Sequence, residues 1–263
     1  MNLKGFSGCK VELIDGKVLK TSSSSSYNAR LTKQGEKQKR FSSELGFLSA
    51  PKVHKINKDS FLMEYINGED FVSFLSKSSG KEIKKFANDI SSYVFESFSK
   101  CENKVIEKSI IQNKIEEIYK KTNFLPLLQF IEIIPKKIEI PVGVSHGDLT
   151  LSNIIFQKNK LILIDFLDGF IETPLIDIAK LRQDTYYKWS LDLYQKSYDK
   201  NKVNISLDYL DELLNIKFST IPSYKNFYLY FQFLNFARIL PYAKELKKIN
   251  YLRDNLSDII IKL

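Results

Sequence analysis

The segment 142–166 constrains the fold most strongly, because it interrupts a long series of helical sequence patterns with a loop and two short strands. Before it, apolar residues recur at three- and four-residue spacing over 81–98 and 105–121, and helical patterns resume after it, from Pro174 to the last residue. Within it, the apolar runs 153–156 and 161–164 flank a polar turn and predict a β-hairpin. The sequence therefore predicts a mainly helical region that carries a single loop and hairpin.

The first third of the chain has a different pattern. Residues 9–14 and 17–21 flank Asp15-Gly16, a dipeptide typical of the two-residue turn of a β-hairpin. A helix is predicted from residue 28 to about 48, and two further strands are predicted at 52–56 and 60–66. The order of these patterns predicts an α+β protein, with a small β-rich part followed by a larger helical part.

The charge and apolar content exclude several classes of protein. The chain has 263 residues, 43% of them hydrophobic, and a formal net charge of +9. The lysines alternate with acidic residues along helical stretches such as 114–121, and no RNA-binding aromatic motif or zinc-ligand spacing is present, so we expect no nucleic-acid partner. No apolar run reaches the roughly 20 residues that span a bilayer, so we expect a cytoplasmic protein without a membrane span.

The polar residues of the loop at 142–166 fit the chemistry of phosphoryl transfer. Transfer to an alcohol needs a carboxylate to orient the hydroxyl and accept its proton, oxygen ligands for Mg²⁺, and a cation to position the nucleotide. Asp148 and Asn153 lie five residues apart on one loop, and the hairpin returns the chain so that Asp165 lies beside them. We therefore predict that Asp148 faces an acceptor hydroxyl and that Asn153 and Asp165 reach a metal ion.

These residues resemble a known family. Residues 146–153 (HGDLTLSN) match the H-x-D-x-x-x-x-N loop of kinases, and Asp165-Phe166 match the start of their D-F-G motif. The sequence is most similar to the aminoglycoside phosphotransferase and choline kinase family. The resemblance implies a two-lobed protein-kinase-like fold, with a nucleotide-binding lobe at 1–67 and a catalytic, acceptor-binding lobe at 68–263. It also implies Asp148 as the catalytic base, Asn153 and Asp165 as Mg²⁺ ligands, and ATP or GTP as the phosphate donor.

The resemblance extends to the predicted phosphate-binding residues. Lys20, on the second strand of the hairpin, resembles the lysine that contacts the α- and β-phosphates. Glu36 is the expected ion-pair partner of Lys20, with Glu44 as the alternative. The turn 5–8, which contains Ser7 and Gly8, lies where the family has its phosphate-covering loop, although an ordinary turn is the competing interpretation.

The remaining likenesses concern the adenine and the support of the loop. Val11 is expected to cover the adenine ring. The segment 62–68 resembles the connector between the lobes, where the Glu64 carbonyl and the Ile66 N–H would pair with the base. Asp177 resembles a residue that braces the catalytic loop.

Two departures from protein kinases indicate a small-molecule acceptor. Gly147 replaces the arginine that many protein kinases use to sense a phosphorylated activation loop, and no A-P-E motif follows Phe166. An inactive kinase-like binding module would lack the base or a metal ligand, whereas all three residues are present.

The acceptor itself is predicted less directly. Asp168, Arg182, Asp184 and Tyr187 are candidates for the acceptor pocket, and each has an alternative interpretation as helix surface or core. The mixed charges of this region suit a neutral or singly charged hydroxyl compound, because a polycationic aminoglycoside needs a strongly acidic cleft. A sugar, a sugar derivative or an amino alcohol is therefore expected, with choline, ethanolamine and aminoglycosides as alternatives.

Overall fold

The computed structural model describes residues 2–3 and 9–263. The predicted hairpin is confirmed, since β2 (Cys9–Ile14) and β3 (Lys17–Ser22) pair antiparallel. Its turn residues Asp15 and Gly16 have φ values of 48° and 71°. Positive φ at both positions matches the right-handed twist of the strands, which explains the choice of Asp-Gly.

A five-stranded sheet is built around this hairpin. Its strand order is β1-β2-β3-β6-β5, where β1 is Asn2–Leu3, β5 is Val53–Ile56 and β6 is Ser60–Glu64. Helix α1 (Asn28–Arg40) packs against one face and inserts the fully buried Leu31. The small core beneath α1 consists of Cys9, Val18, Leu31, Val53, Phe61 and Met63.

Helix α1 is shorter than predicted, because it ends at Arg40 rather than near residue 48. Phe41 leaves the helical conformation, with a ψ of 128°, and its ring packs 5.0 Å from the ring of Phe166. The short strand β4 (Leu48–Ser49) then pairs in parallel with a strand of the second hairpin. Tertiary contacts, rather than local sequence signals, therefore end the helix.

The rest of the chain is mainly helical, which confirms the predicted α+β, protein-kinase-like architecture. Helix α3 begins with a capping box between Ser79 and Glu82. The elements are α2 (Phe71–Lys77), α3 (Gly80–Ser99), β7 (Glu102–Glu107), α4 (Lys108–Thr122), α5 (Pro126–Ile133), β8 (Lys137–Val142), β9 (Ile154–Gln157), β10 (Lys160–Leu163), α6 (Pro174–Thr185), α7 (Lys200–Phe218), α8 (Pro222–Ile239) and α9 (Leu246–Lys262).

A second predicted helix boundary is also wrong. The helix expected from residue 105 begins at Lys108, because the preceding residues form β7, which pairs antiparallel with β8. Strand β8 alternates the buried Ile138 and Ile140 with exposed charged residues, a period-two pattern that predicts a strand. This small sheet matters for the site, because β8 leads directly into the loop that contains His146.

A large apolar cluster joins the helices to the second hairpin and is separate from the small core of the first sheet. The boundary at residue 67 between two lobes remains a prediction. None of the helices within 2–3 and 9–263 combines the length and the apolar content that crossing a bilayer requires.

Candidate active site

The loop 143–153 has a conformation that only glycine permits at position 147. Gly147 has a φ of +86°, and a Cβ atom there would lie 2.0 Å from the carbonyl oxygen of Leu167. The two segments approach this closely because the Leu167 N–H donates to the His146 carbonyl at 3.0 Å. The same contact therefore excludes the arginine that occupies this position in many protein kinases.

Helix α6 supports the loop from below with Asp177. Its carboxylate accepts hydrogen bonds from the backbone N–H of His146 at 2.6 Å and of Gly147 at 2.8 Å. The predicted bracing role of Asp177 is thereby confirmed. Burial raises the pKa of Asp177 to about 7, although both N–H donors act in the opposite direction.

Two further residues of α6 contact the loop. Asp184 accepts from the Leu151 N–H at 2.7 Å, and Lys180 lies 3.0 Å from a carboxylate oxygen of Asp148. Positions 177, 180 and 184 are spaced by three and four residues, so they lie on one face of the helix. Almost every other residue of α6 is buried in the apolar core. One face of α6 is thus devoted to holding the loop.

Asp148, the predicted base, is held on both carboxylate oxygens. Lys180 Nζ lies 3.0 Å from Oδ1, and the side-chain amide of Asn153 donates to Oδ2 at 3.0 Å. Burial raises the pKa of Asp148, but Lys180, His146 and Asn153 together hold it below its ordinary value of 3.8. The carboxylate is therefore ionised at neutral pH and fixed in orientation.

The second hairpin brings Asp165 to the same place. The Ile164 N–H donates to the Asn153 carbonyl at 3.0 Å, which sets Asp165 beside the end of the loop. Asp165 has a φ of +61°, a left-handed conformation that is uncommon outside glycine and is concentrated at functional sites. Its Oδ1 lies 2.9 Å from Nζ of Lys20, whose side chain is only 2% exposed.

The donor set at Asn153 and Asp165 fits Mg²⁺. The amide nitrogen of Asn153 points at Asp148, which turns its carbonyl oxygen away, and Oδ2 of Asp165 accepts no hydrogen bond from any described residue. Across 2–3 and 9–263, no cluster of three or more His, Cys, Asp or Glu side chains could enclose a metal. Mg²⁺ commonly takes one or two protein oxygens and completes its shell with phosphates and water.

The expected partner of Lys20 on α1 is corrected. The helix turns Glu36 to solvent and buries Gln34, whose Oε1 accepts from Lys20 Nζ at 3.4 Å. Glu44, the alternative, is also exposed. Helical spacing explains the outcome, because Gln34 shares the inward face with Leu31 and Gln38.

Lys37 connects α1 to the site instead, and the sequence analysis missed it. Its Nζ donates to the Leu167 carbonyl at 2.6 Å and to the Glu172 carboxylate at 2.7 Å. Glu172 also accepts from the Ser145 hydroxyl at 2.6 Å. Lys37 and Glu172 therefore connect α1 to the two backbone segments that meet at Gly147, one containing Ser145 and the other Leu167.

Three of the predicted nucleotide-side residues lie on the first sheet or directly after it. Val11 is directly opposite Lys20 in the β2–β3 register, Glu64 ends β6, and Ile66 follows in the connector to α2. Ser7 and Gly8 lie outside the described residues. The adenine and phosphate contacts of these five residues remain predictions.

Three predicted acceptor-pocket residues have structural contacts elsewhere, which corrects that expectation. Arg182 forms a two-pronged ion pair with Asp211, at 3.1 and 2.9 Å, that ties α6 to α7. Asp184 accepts from the loop, as described above, and burial raises its pKa to about 6. Tyr187 packs its ring 4.8 Å from that of Phe236. Asp168 is exposed and does not line the cleft at Asp148.

His146 has a structural position rather than a catalytic one. It is fully buried, its ring lies 4.3 Å from that of Phe166, and its Nδ1 accepts from the Asp148 N–H at 3.2 Å. Burial lowers the pKa of His146 to about 4, so the ring is neutral at physiological pH.

A cleft of about 410 Å³ opens at Asp148. Five basic side chains line it. They come from four helices that are distant in sequence, so no short-range pattern predicts that they meet: Arg30, Lys114, Lys121, Lys180 and Arg238. A larger cleft of about 620 Å³ lies beside Gly68 and Phe156, and neither Asp148 nor Asp165 lines it.

Comparison with known proteins agrees with this geometry. Residues 112–201 match the phosphotransferase enzyme family. The chain is 32% identical over 107 residues to the KEOPS complex subunit Bud32 of Pyrococcus abyssi, a match that covers 37% of this chain and 48% of that protein. The chain thus spans about half the length of this curated relative.

Solved structures resemble the chain over nearly its whole length. An ADP-bound aminoglycoside phosphotransferase, APH(2'')-Ib, gives a TM-score of 0.61 at 16% identity and covers 98% of this chain and 93% of its own. A choline/ethanolamine kinase family protein from Mesorhizobium loti gives 0.54 at 11% identity, over 99% and 87% of the two chains. The resemblance predicted from residues 146–166 is confirmed: the chain has the fold of these phosphotransferases, and its segment 112–201 matches the phosphotransferase enzyme family.

Proposed function

We propose that this protein is an ATP- and Mg²⁺-dependent phosphotransferase that moves the γ-phosphate onto a hydroxyl of a small molecule, with Asp148 as the catalytic base. The observation that carries the proposal is the fixed orientation of the Asp148 carboxylate at the mouth of a cleft. Asn153 holds one of its oxygens, and Asp165 lies at the other end of the same loop–hairpin unit, where it pairs with Lys20 of β3.

The side chains of the site have separate roles in the proposed reaction. Lys20 is suited to positioning the nucleotide phosphates, because it is a buried cation whose ammonium group reaches the edge of the site at Asp165. Asn153 and Asp165 would hold Mg²⁺, which supplies charge neutralisation on the transferring phosphates when bound. Asp148 orients the acceptor hydroxyl and accepts its proton at a carboxylate oxygen.

Lys180 is expected to tune Asp148. It is the nearest cation to the base, and without it burial is the largest remaining influence on the Asp148 pKa, which then rises. A base with a higher pKa is protonated at higher pH, so the acid limb of the kcat/KM profile of Lys180→Met should move to higher pH. The pH dependence of ADP formation measures this shift.

Lys180→Arg is the matched control, since it keeps the positive charge and should keep the limb at lower pH. If the profiles of the wild type and Lys180→Met superimpose, the charge of Lys180 does not set the ionisation of the base.

An ADP-formation screen tests the function directly. We expect ADP production that requires both Mg²⁺ and an added hydroxyl compound, over a panel of monosaccharides, sugar derivatives, amino alcohols and aminoglycosides, with ATP and GTP as donors. Binding of ATP without acceptor-dependent ADP formation for any compound would contradict the proposed activity. Choline, ethanolamine and aminoglycosides stay on the panel because similar folds carry those names.

The similarity to a KEOPS complex subunit favours a second candidate, in which the kinase works inside a protein assembly and its acceptor is a macromolecule. Incubation with Mg²⁺, labelled ATP and protein substrates separates the two. Label in protein, without turnover of any small acceptor, would favour the second candidate.

A further inference from the structure

Two arginines of the cleft at Asp148 have no carboxylate partner. Arg238 lies on α8 and Arg30 lies on α1, and both line the same cleft as Asp148. Within the described part of the chain neither arginine forms an ion pair. Each guanidinium instead lies near an aromatic ring, 5.4 Å from that of Tyr27 for Arg30 and 5.7 Å from that of Phe170 for Arg238.

The other basic side chains of the cleft each have a carboxylate partner, although two of them share one carboxylate. Glu117 pairs with Lys114 at 2.7 Å and with Lys121 at 3.2 Å, and Asp148 pairs with Lys180 at 3.0 Å. The cleft thus has five basic side chains and two carboxylates, and of the three surplus positive charges one belongs to the Lys114–Glu117–Lys121 group and two to the arginines.

Arg238 is partly buried, which makes its unpaired charge costly. Burial lowers the pKa of Arg238 and the charge of Arg30 lowers it further, whereas the charge of Asp148 acts in the opposite direction without reversing the shift. The two guanidinium groups therefore repel each other across the cleft. An anionic group between them would relieve both the repulsion and the desolvation, and guanidinium forks match the oxygens of phosphate and carboxylate groups.

The nucleotide does not account for this charge. Its phosphates are expected at Lys20 and Asp165, and neither of these residues lines the cleft. The cleft begins at Asp148 and extends toward α4 and α8, which is the side of the base where an acceptor would lie.

We propose that the acceptor carries an anionic group, a phosphate monoester or a carboxylate, which Arg238 and Arg30 bind while its hydroxyl faces Asp148. The inference rests on the proposed function and narrows its acceptor to an anionic hydroxyl compound, in place of a neutral sugar or an amino alcohol. The hydroxyl oxygen bonds to the γ-phosphorus as the bond from that phosphorus to the bridging oxygen breaks. ADP leaves with the electron pair, and Asp148 takes the hydroxyl proton.

Matched acceptor pairs test the inference. Ribose and ribose 5-phosphate, and glycerol with glycerol 3-phosphate and glycerate, differ mainly in their anionic group, and choline and kanamycin provide cationic compounds. For at least one anionic compound we expect a kcat/KM about tenfold or more above that of its neutral parent, as charge-assisted hydrogen bonds provide. The phosphate and carboxylate members show which anion the cleft prefers.

Arg238→Gln should remove most of this preference, measured as the ratio of kcat/KM for the anionic compound to kcat/KM for its neutral parent. Arg253→Gln is the matched control, because Arg253 contacts the ring of Phe124 at 5.4 Å and does not line the cleft. If circular dichroism shows that Arg238→Gln is misfolded, Arg30→Gln at an exposed position replaces it.

The outcomes separate the inference from the proposed function. Faster phosphorylation of neutral or cationic compounds than of every anionic one would overturn the inference and leave the kinase assignment standing. If no compound supports ADP formation, calorimetry with ribose 5-phosphate and glycerate decides. Binding that Arg238→Gln abolishes would support the anion site although the proposed function fails, and absence of binding to the wild type would overturn it.

Discussion

Asp148→Asn is expected to lower the kcat of acceptor-dependent ADP formation by about 10²–10⁴-fold, the usual contribution of a positioned general base, while ATP binding persists. The amide cannot accept the hydroxyl proton. The nucleotide is expected at Lys20 and Asp165, which pair with each other, whereas the Asp148 side chain contacts Lys180 and Asn153. Steady-state kinetics and ATP binding by calorimetry measure the two parts of this expectation.

The surroundings of Asp148 make a second variant necessary. Lys180 and the amide of Asn153 direct donors at its two oxygens, whereas an asparagine offers one oxygen and one donor group. Asp148→Asn therefore places two donors face to face, and some lost activity could come from a displaced loop. Combining Asp148→Asn with Lys180→Met removes one of the facing donors and restores room for the amide.

If the defect of Asp148→Asn comes from loss of the base, the double variant should be as slow as Asp148→Asn. Recovery of most of the wild-type kcat in the double variant would instead assign the defect to loop displacement. Asp168→Asn, the same change at an exposed carboxylate outside the cleft, is the control and should retain wild-type turnover.

The sequence could predict those features that depend on short-range patterns. The Asp15-Gly16 turn requires positive φ at two neighbouring positions, and this requirement is local. The spacing of Asp148, Asn153 and Asp165 is likewise set by one loop and one hairpin, and the structure places all three in a connected unit. The prediction that Asp177 braces the loop is confirmed for a similar reason, since helix α6 follows soon after.

Features that depend on which face of a helix turns inward could not be predicted from short-range patterns. The charge of Glu36 predicts an ion pair with Lys20, whereas the helix presents Gln34 there. On α6 a signal is present, since charged residues at 177, 180 and 184 lie on one stripe of the helix, away from the Arg182 that pairs with Asp211. The basic cleft brings together residues more than 200 positions apart, Arg30 and Arg238, so only the tertiary structure shows it.

Asp165→Ala should weaken the binding of Mg²⁺, because it removes one of the two proposed protein ligands. Loss of groups that merely orient a ligand costs about 10–100-fold in metal affinity, so the half-saturating Mg²⁺ concentration should rise by at least this factor. The substitution has a second effect, because Lys20 is almost fully buried and loses its only carboxylate contact among the described residues. A lower midpoint of thermal unfolding is therefore expected as well.

Asp165→Asn separates the two effects. Asparagine tolerates the left-handed conformation at φ +61°, and its carbonyl oxygen can still accept from Lys20, but the negative charge that attracts the metal is lost. This variant should keep more of the thermal stability than Asp165→Ala and should still require more Mg²⁺ than the wild type. Asp168→Ala, an exposed carboxylate three residues further along, controls for loss of charge near the site and should titrate as the wild type does. Superimposed Mg²⁺ titrations of the wild type, Asp165→Asn and Asp165→Ala would remove Asp165 from the metal site and leave it as the ion-pair partner of Lys20.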